Sequence, residues 1–260
     1  MLDHRVTAYL ADTCVFFQPW WLEAVAPGQW DVAVAWRGEE VAGVWPYAYK
    51  MRLGRYRLLE QPELSFYLGP WIRSSTKRTP RRLSEEKSLV TELHDALPEF
   101  ASFQQWFHPR VTNWMPLQWK GFSQTTRYTY VCPVTEDREA LWAGARGSVR
   151  RAIRKARKEL EVVEHEDVQA FLELEKRTFS RQGMRLPFSA AALERLDSAA
   201  AEHGVRKILC AVDSAGRVHA GAYVVWDATT VYFLLRGSDP DLRRSGAASL
   251  IAWAAIELAS

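Results

Sequence analysis

The sequence predicts an α/β (α+β) fold of two tandem units, residues 1–125 and 126–260, each a mixed, mostly antiparallel sheet flanked by helices. Three observations lead to this prediction. The 260 residues suffice for about two ordinary domains. Segments with the apolar patterns of strands are concentrated in two regions that separate near residue 126. Finally, residues 231–259 read as a strand, a polar loop and an apolar helix.

The N-terminal unit is predicted to be rich in strands. A short amphipathic helix over 14–26 begins near Pro19, and two apolar runs around the polar turn Arg37–Glu40 predict a hairpin. Further strands are predicted over RYRLLE, LSFYLGPWI and FASFQQWFH. The strand over LSFYLGPWI is expected to end at Gly69-Pro70. A helix is expected around 84–97, after a basic loop, and NWMPLQWKGF is expected to be irregular.

The C-terminal unit is predicted to begin at TRYTYVCPV. Residues 136–160 have a helical pattern that is interrupted near Gly144 and Gly147. The elements expected after it are a strand over 161–165, helices over about 167–180 and 189–203, and an antiparallel meander with turns at 214–216 and 227–228.

The terminal helix is unusually apolar, because residues 245–260 contain a single charge, at Glu257. Such a helix is expected to be buried inside the fold. Its start carries the pattern R-x-x-G-x-A, formed by Arg243, Gly246 and Ala248, with Arg244 alongside. A glycine there allows a ligand to approach the free N–H groups of the first turn, which predicts an anion site. The alternative is a glycine that only permits close packing.

A second basic feature precedes the meander. The segment RGSVRRAIRKARK, residues 146–158, contains seven basic residues and no acid, alongside one apolar helical stripe. Like charges at helical spacing repel by roughly 0.2–0.5 kcal/mol per pair in an isolated helix. One interpretation is a solvated basic face; the other is a phosphate-bearing partner held by arginine side chains.

Composition and cysteine spacing limit which classes of protein remain possible. The net charge of +3 excludes a strongly basic molecule, so contact with nucleic acid would need a local patch. Cys14, Cys132 and Cys210 form neither a disulfide framework nor a C-x-x-C metal pattern, which suits a reducing cytoplasm. The histidines lack metal-ligand spacing, and neither a signal peptide nor a membrane span is expected.

Several motifs taken together resemble one family. The chain resembles the Fem family of peptidoglycan-bridge aminoacyl transferases, which are relatives of the GNAT acyltransferases. The motifs that resemble this family, in order and in spacing, are LSFYLGPWI, RRAIRKARK, TFSRQG and LLRGSDPDLRRSGA. The resemblance covers roughly residues 30–260. It implies two GNAT-like units around a shared cleft, and transfer of an acyl or aminoacyl group to an amine.

The resemblance also implies substrates and partners. The donor would be acyl-CoA or an aminoacyl-tRNA, used as a co-substrate, with no tightly bound cofactor and no metal. The acceptor would be a small molecule or a muropeptide precursor of the cell wall. By this analogy, Arg150, Arg151, Arg154 and Lys155 would bind phosphates, and the Gly246 loop would lie where acetyltransferases bind the pyrophosphate of coenzyme A.

Two departures from the family pattern are evident. No heptad stretch resembles the helical arm that binds tRNA in some of these enzymes. The sequence also ends directly after the terminal helix, where a GNAT unit continues with further strands. We therefore expect a truncated form of a longer chain, with self-association through the uncovered apolar helix as a consequence.

Candidate site residues have functional and structural interpretations. Tyr223 and Tyr232 on the meander are candidates for an acid or hydrogen-bond donor, although packing explains both. Asp239, close to Arg236 in the sequence, is a candidate base or orienting group, and an acid at the start of a helix is the ordinary explanation. Arg236 is itself a candidate for binding substrate or phosphate. Candidates for the acceptor side are Tyr67, Arg181 and Gln182, and a helix C-cap at Gly183 is an equally good explanation of the last two.

Two functions follow from these patterns. The first is an acyl or aminoacyl transferase of the GNAT/Fem type. The second is a non-catalytic binder of RNA or of a phosphate-bearing glycan, which would use the basic helix over 146–158.

Overall fold

A computed structural model of the protein describes residues 2–135 and 137–260. The chain divides into two compact units, one ending at Tyr128 and the other formed by Thr129–Ser260. The division falls in a segment, residues 123–135, that contains neither helix nor strand. Each unit builds one sheet flanked by helices, so the predicted mixed α/β class is confirmed.

The N-terminal unit contains a five-stranded sheet. Its elements are α1 (His4–Ala11), a 3-10 turn (Val15–Phe17), α2 (Pro19–Val25), β1 (Trp30–Arg37), β2 (Glu40–Arg52), β3 (Tyr56–Glu60), β4 (Trp71–Ile72), α3 (Thr79–Asp95), β5 (Ser102–Gln104) and α4 (Met115–Trp119). The strand order is β1-β2-β3-β5, and β4 pairs with β2. The predicted hairpin is present, with Gly38 in the left-handed region that its tight turn requires.

The predicted strand over LSFYLGPWI is wrong for most of its length. Only Trp71 and Ile72 pair with β2. The preceding residues form a loop because Leu64 and Gly69 have φ angles of 58° and 103°, which interrupt an extended chain. Within this loop the Ser65 hydroxyl is buried and accepts a hydrogen bond from Trp21 Nε1 at 2.9 Å.

Two helix predictions in this unit also need correction. α3 begins at Thr79 rather than near residue 84, with Pro80 in its first turn. The segment expected to be irregular contains α4, again with a proline, Pro116, in its first turn. Proline is favourable there because its fixed φ angle suits a helix and the first turn does not need its missing N–H.

The C-terminal unit contains a four-stranded antiparallel sheet in the order β6-β7-β8-β9. Its elements are α5 (Arg138–Gly144), α6 (Gly147–Ala156), β6 (Leu160–His165), α7 (Val168–Ser180), α8 (Ala190–Glu202), β7 (Arg206–Asp213), β8 (Val218–Trp226), β9 (Val231–Ser238), a 3-10 turn (Arg243–Ser245) and α9 (Ala247–Ala259). The predicted helix pair, meander and strand–loop–helix are confirmed. The predicted helical start at residue 136 lies outside the described residues.

Helices cover both faces of this sheet. Ala220, Ala222 and Val224 of β8 pack with α6 and α9. Residues between them face the other way, as strand geometry requires. Accordingly, Tyr223 contacts Phe171 of α7, with ring centroids 6.1 Å apart. The space beside Gly221 is likewise filled by Leu174 of α7.

The prediction that α9 is buried all round is wrong. Leu250, Ile251 and Trp253 are buried, whereas Ala248 and Ala252 are exposed on the opposite side. These alanines are one helical turn apart, so they form a narrow apolar stripe that faces outward.

Candidate functional site

A pocket of about 540 Å³ lies where β9 ends, and we call it the β9-end pocket. It lies between the C-terminal part of α7 and the start of the loop that follows β9. Its lining residues are Lys176, Arg177, Ser180, Arg181, Asp239, Pro240 and Asp241. Two predicted site residues, Arg181 and Asp239, are therefore brought together, although they are far apart in the sequence. The lining combines three cations with two carboxylates, which suits a charged, polar ligand.

The end of α7 positions Arg181 at this pocket. Gly183 has a φ angle of 67°, and the Met184 N–H donates to the Phe179 carbonyl at 3.0 Å. This is the glycine C-cap that the sequence left as an alternative. The Gln182 side chain donates back to the Thr178 carbonyl at 3.3 Å and is absent from the described pocket lining. Gln182 therefore serves the C-terminal end of α7, where its side chain bonds a main-chain carbonyl.

α7 and β9 are joined closely above the pocket. The Ser238 N–H donates to Thr178 Oγ1 at 2.9 Å, and the Thr178 hydroxyl lies 3.2 Å from the Ser238 carbonyl. Asp239 pairs with Arg177 at 3.2 Å, and its side chain is only 15% exposed. The arginine that Asp239 contacts is thus Arg177, whereas sequence proximity suggested Arg236.

Gly237 of β9 permits this close approach. A Cβ atom at that position would lie 2.9 Å from Leu174 Cγ and 3.3 Å from the Glu175 nitrogen. Any side chain would therefore push α7 away from the strand. The glycine sets the α7–β9 distance.

Glu175 is buried in this seam, with an exposed fraction of 1%. The main-chain N–H of Arg236 hydrogen-bonds its carboxyl group, while Oε1 has no hydrogen-bond partner among the described residues. Burial raises the pKa of Glu175 to about 7, and the Arg236 hydrogen bond and charge oppose that rise. A carboxyl group with this pKa changes charge near neutral pH.

Glu175 is not among the candidates predicted from the sequence, although the sequence contains a signal for it. Phe171, Leu172 and Leu174 are buried on α7, and Glu175 lies three or four residues after the first two. It therefore occupies the apolar stripe of an amphipathic helix. A glutamate in such a stripe is expected to be buried, and buried carboxylates need a partner or a function.

The loop from Asp239 to Gly246 connects the pocket to the basic helix. Lys155 Nζ of α6 donates to the Arg244 carbonyl at 2.9 Å, and Arg243 Nε donates to the Pro240 carbonyl at 3.3 Å. Arg151 is one helical turn before Lys155, on the same flank of α6. We call Arg151, Lys155, Arg243 and Arg244 the loop cation cluster.

Gly246 has a packing role. Its φ angle is 83°, and a Cβ atom there would lie 2.6 Å from the Ala152 carbonyl oxygen. The main chain of α6 thus lies in the space beside Gly246 that an approaching ligand would need. Close packing accounts for this glycine without a bound anion.

The basic residues of α6 divide into two groups. Arg154 lies 5.6 Å above the Trp142 ring, and Arg157 pairs with Glu257 at 3.0 Å. Neither the Arg150 nor the Arg151 side chain makes a hydrogen bond or an ion pair within residues 2–135 and 137–260. These two arginines therefore remain available to an external anion.

Both candidate tyrosines have structural roles. Tyr223 has no exposed surface, and its hydroxyl donates to Asp197 Oδ1 at 2.9 Å. Burial, reinforced by the Asp197 charge, raises the pKa of Tyr223 well above its usual range. The Tyr232 hydroxyl donates to Asp227 Oδ2 at 3.0 Å, which secures the β8–β9 turn. The structure supports the packing interpretation for both.

Tyr67 belongs to the N-terminal unit and is half-buried. Its ring lies 4.9 Å from that of His108, and Trp71 lies 5.1 Å from the same imidazole. Arg110 stacks over Trp71 at 3.9 Å. Burial raises the pKa of Tyr67. The aromatic and cationic surface around Tyr67 is suited to stacking against a planar or sugar ligand.

A second pocket of the C-terminal unit, of about 730 Å³, is mainly apolar. Its walls are α5, α6 and α9, and it is lined by Ala140, Gly144, Val149, Ile153, Ala248 and Ala252 among others. The outward alanine stripe of α9 forms one of these walls.

Over the part of the chain that the structure describes, no group of three or more histidine, cysteine, aspartate or glutamate residues is arranged to hold a metal ion. Nor does any helix described there combine the length and apolar character that crossing a membrane requires.

Comparisons with known proteins agree with this architecture. Residues 143–260 match the family model described as "Acetyltransferase (GNAT) domain". A crystal structure of FemX superposes with a TM-score of 0.67 at 16% sequence identity, covering 100% of this chain and 85% of that one. A search of curated protein sequences returned no match. Residues 143–260 are thus similar to the GNAT acetyltransferase family, within a chain that has the fold of FemX.

Proposed function

We propose that this protein is an acyltransferase of the GNAT/Fem type that moves an acyl or aminoacyl group from an activated donor to an amine. One observation carries the proposal. Within residues 143–260, the single loop Asp239–Gly246 connects the β9-end pocket to the loop cation cluster. A polar reaction site and an anion-binding surface thereby belong to one continuous structural element.

Acyl transfer to an amine requires a positioned donor, an amine that can lose a proton, and groups that stabilise the developing oxyanion. Acyl-CoA carries a diphosphate at the far end of its pantetheine arm, and aminoacyl-tRNA carries phosphates along its backbone. Arginine and lysine bind phosphate through charge-assisted hydrogen bonds. The loop cation cluster and Arg150 would hold those phosphates, while the β9-end pocket would receive the amine.

We propose an amine of a cell-wall precursor as the acceptor. Support comes from the FemX fold and from the motifs that resemble the peptidoglycan-bridge transferases. A muropeptide precursor combines an amine with a sugar diphosphate. Acyl-CoA, aminoacyl-tRNA and such precursors occur together in the cytoplasm, where we propose that the reaction takes place.

The second candidate, a non-catalytic binder of RNA or phosphate-bearing glycan, is favoured by Arg150 and Arg151, which no described acid neutralises. Both functions predict phosphate binding. They differ in turnover, because only a transferase consumes its donor.

Thermal unfolding with acetyl-CoA, an aminoacyl-tRNA and a nucleotide-diphosphate sugar would identify the donor class. A ligand at about 100 times its dissociation constant stabilises by roughly 2.7 kcal/mol. Each candidate donor, carrying an isotope-labelled acyl group, is then incubated with the protein and an amine, and formation of the labelled amide is measured. Stabilisation without any amide product, for every donor, would favour the binder.

The role of the cations is tested by replacing Arg151 and Lys155 with alanine. A matched control replaces Lys207 and Arg217, which pair with Glu164 and Asp213 and change the net charge equally. Weaker binding in the first variant alone would support the site.

A further inference from the structure

Two charged side chains of the β9-end pocket have no partner in the part of the chain that the structure describes. Arg181 and Asp241 both line this pocket, and both are exposed to solvent. Neither the guanidinium group of Arg181 nor the carboxylate of Asp241 makes a hydrogen bond or an ion pair with a described residue. A cation and an anion therefore face one space without closing it by pairing with each other.

The other charged residues of this pocket already have partners. Lys176 pairs with Glu173 at 2.6 Å, and Arg177 pairs with Asp239 at 3.2 Å. The rest of the described lining is uncharged. Among the described lining residues, one cation and one anion thus remain free to bind a ligand.

The turn after β9 holds the main chain of Asp241 in place. Its N–H donates to Asp239 Oδ1 at 2.9 Å, and the Asp239 N–H donates to the His219 carbonyl at 3.0 Å. Arg177 Nη1 donates to the other carboxylate oxygen of Asp239 at 3.2 Å. Because the main chain is held in this way, only the short side chain of Asp241 must be ordered when a ligand binds.

The C-terminal end of α7 holds the main chain of Arg181. Its N–H donates to the Arg177 carbonyl at 3.2 Å, next to the turn in which Gly183 ends the helix. The free cation is therefore carried by α7, and the free anion by the loop that follows β9. Each of the two walls of the pocket contributes one charge.

We propose that the β9-end pocket selects an acceptor that carries a carboxylate close to its amine, as an amino acid does. Arg181 binds the carboxylate through charge-assisted hydrogen bonds, and Asp241 binds the ammonium group. This inference rests on the proposed acyl transfer and names the chemical class of its acceptor. The pocket volume of about 540 Å³ is in the range of small-molecule sites, so an amino acid has room there.

The first test measures binding without any donor. Glycine, β-alanine, γ-aminobutyrate and δ-aminovalerate carry the same two charges at increasing separation. Each is compared with its carboxamide, which lacks the carboxylate, and with its N-acetyl derivative, which lacks the ammonium group. Dissociation constants are obtained by NMR titration of ¹⁵N-labelled protein. We expect at least one amino acid to bind about tenfold more tightly than both derivatives, because each derivative loses one charge-assisted contact.

Three results would overturn the proposal. Equal affinity for every amino acid and its carboxamide would make the site a general amine pocket. Equal affinity for every amino acid and its N-acetyl derivative would make it a general anion pocket. Absence of binding throughout the series would mean that the two charges are merely solvated.

The second test removes one charge of the protein at a time. Arg181→Gln should weaken binding of the preferred amino acid about tenfold and leave binding of its carboxamide unchanged. Asp241→Asn should likewise weaken the amino acid and spare its N-acetyl derivative. Partial unfolding would affect both ligands of a pair, so it cannot produce this pattern. The matched controls are Arg185→Gln and Glu202→Gln, two exposed residues outside the described lining, and both should bind as wild type does. Wild-type selectivity in Arg181→Gln and Asp241→Asn would overturn the proposal.

Turnover separates this inference from the proposed function. With the donor found by the thermal-unfolding panel, kcat/KM for the preferred amino acid should exceed that for its carboxamide about tenfold. Arg181→Gln should abolish this difference while the KM for the donor stays unchanged. Equal kcat/KM for both acceptors would refute the inference and leave the transferase intact. Absence of amide formation with every donor would refute the transferase, and the binding measurements would still decide whether the pocket holds an amino acid.

Discussion

Replacing Glu175 with glutamine is expected to change how stability depends on pH. Burial raises the pKa of Glu175 from 4.5 to about 7, so the folded protein holds this proton more tightly than the unfolded chain. Stability from this group is complete below about pH 4.5 and is lost as the pH rises to about 7. At about 1.4 kcal/mol per pKa unit, the loss amounts to about 3 kcal/mol. Glutamine has no proton to lose and should abolish this dependence.

The assay compares urea unfolding of the two proteins by circular dichroism from about pH 4.5 to about pH 8. The relevant quantity is the difference in unfolding free energy between Glu175→Gln and wild type, because pH effects common to both cancel. This difference should rise by about 3 kcal/mol in favour of the variant and level off above about pH 7. A difference in unfolding free energy that is the same at every pH would report how well the glutamine amide fits in place of the carboxyl group.

Parallel stability curves for the two proteins would refute the reasoning. They would mean that Glu175 ionises as it does in water, and hence that the seam admits solvent. Glu202→Gln on the exposed side of α8 should leave the curve unchanged.

Three further outcomes are expected. Gly246→Ala should destabilise the protein more than Gly216→Ala in urea unfolding, because both positions have positive φ angles, worth about 1–2 kcal/mol, but only Gly246 faces the α6 main chain. Equal losses would contradict the packing role. Tyr223→Phe should lower the unfolding free energy by about 1–3 kcal/mol, because the buried Asp197 carboxylate loses one of its two partners and keeps only Arg206 at 3.1 Å, while the transfer rate per folded molecule is retained. A reduced rate at full folding would restore Tyr223 as a catalytic candidate. Replacing Arg151 and Lys155 with alanine should weaken binding of acetyl-CoA and flatten its salt dependence, and an unchanged salt slope would favour a merely solvated basic face.

Residue patterns within single segments were enough to predict the local architecture of this protein. The N-terminal hairpin, the C-terminal meander and the strand–loop–helix at the end were predicted correctly. These elements depend on residues close together in the chain, through apolar alternation and turn residues. The motifs likewise indicated a GNAT-type domain, which the match over residues 143–260 supports.

Local patterns were insufficient where the backbone or a distant neighbour opposed them. The apolar run LSFYLGPWI has the composition of a strand, yet the positive φ angles at Leu64 and Gly69 make most of it a loop. For Tyr223 the sequence left a catalytic and a packing role open, and the distant partner that supports packing, Asp197, is visible only in the structure.

The candidate site was decided by tertiary structure alone. Asp239 contacts Arg177, and Gly246 faces Ala152, although each pair is far apart in the chain. Glu175 acquires its raised pKa only when α7 packs against β9 and removes water from its carboxyl group. Desolvation depends on which surfaces meet, and the order of residues along one segment does not specify that.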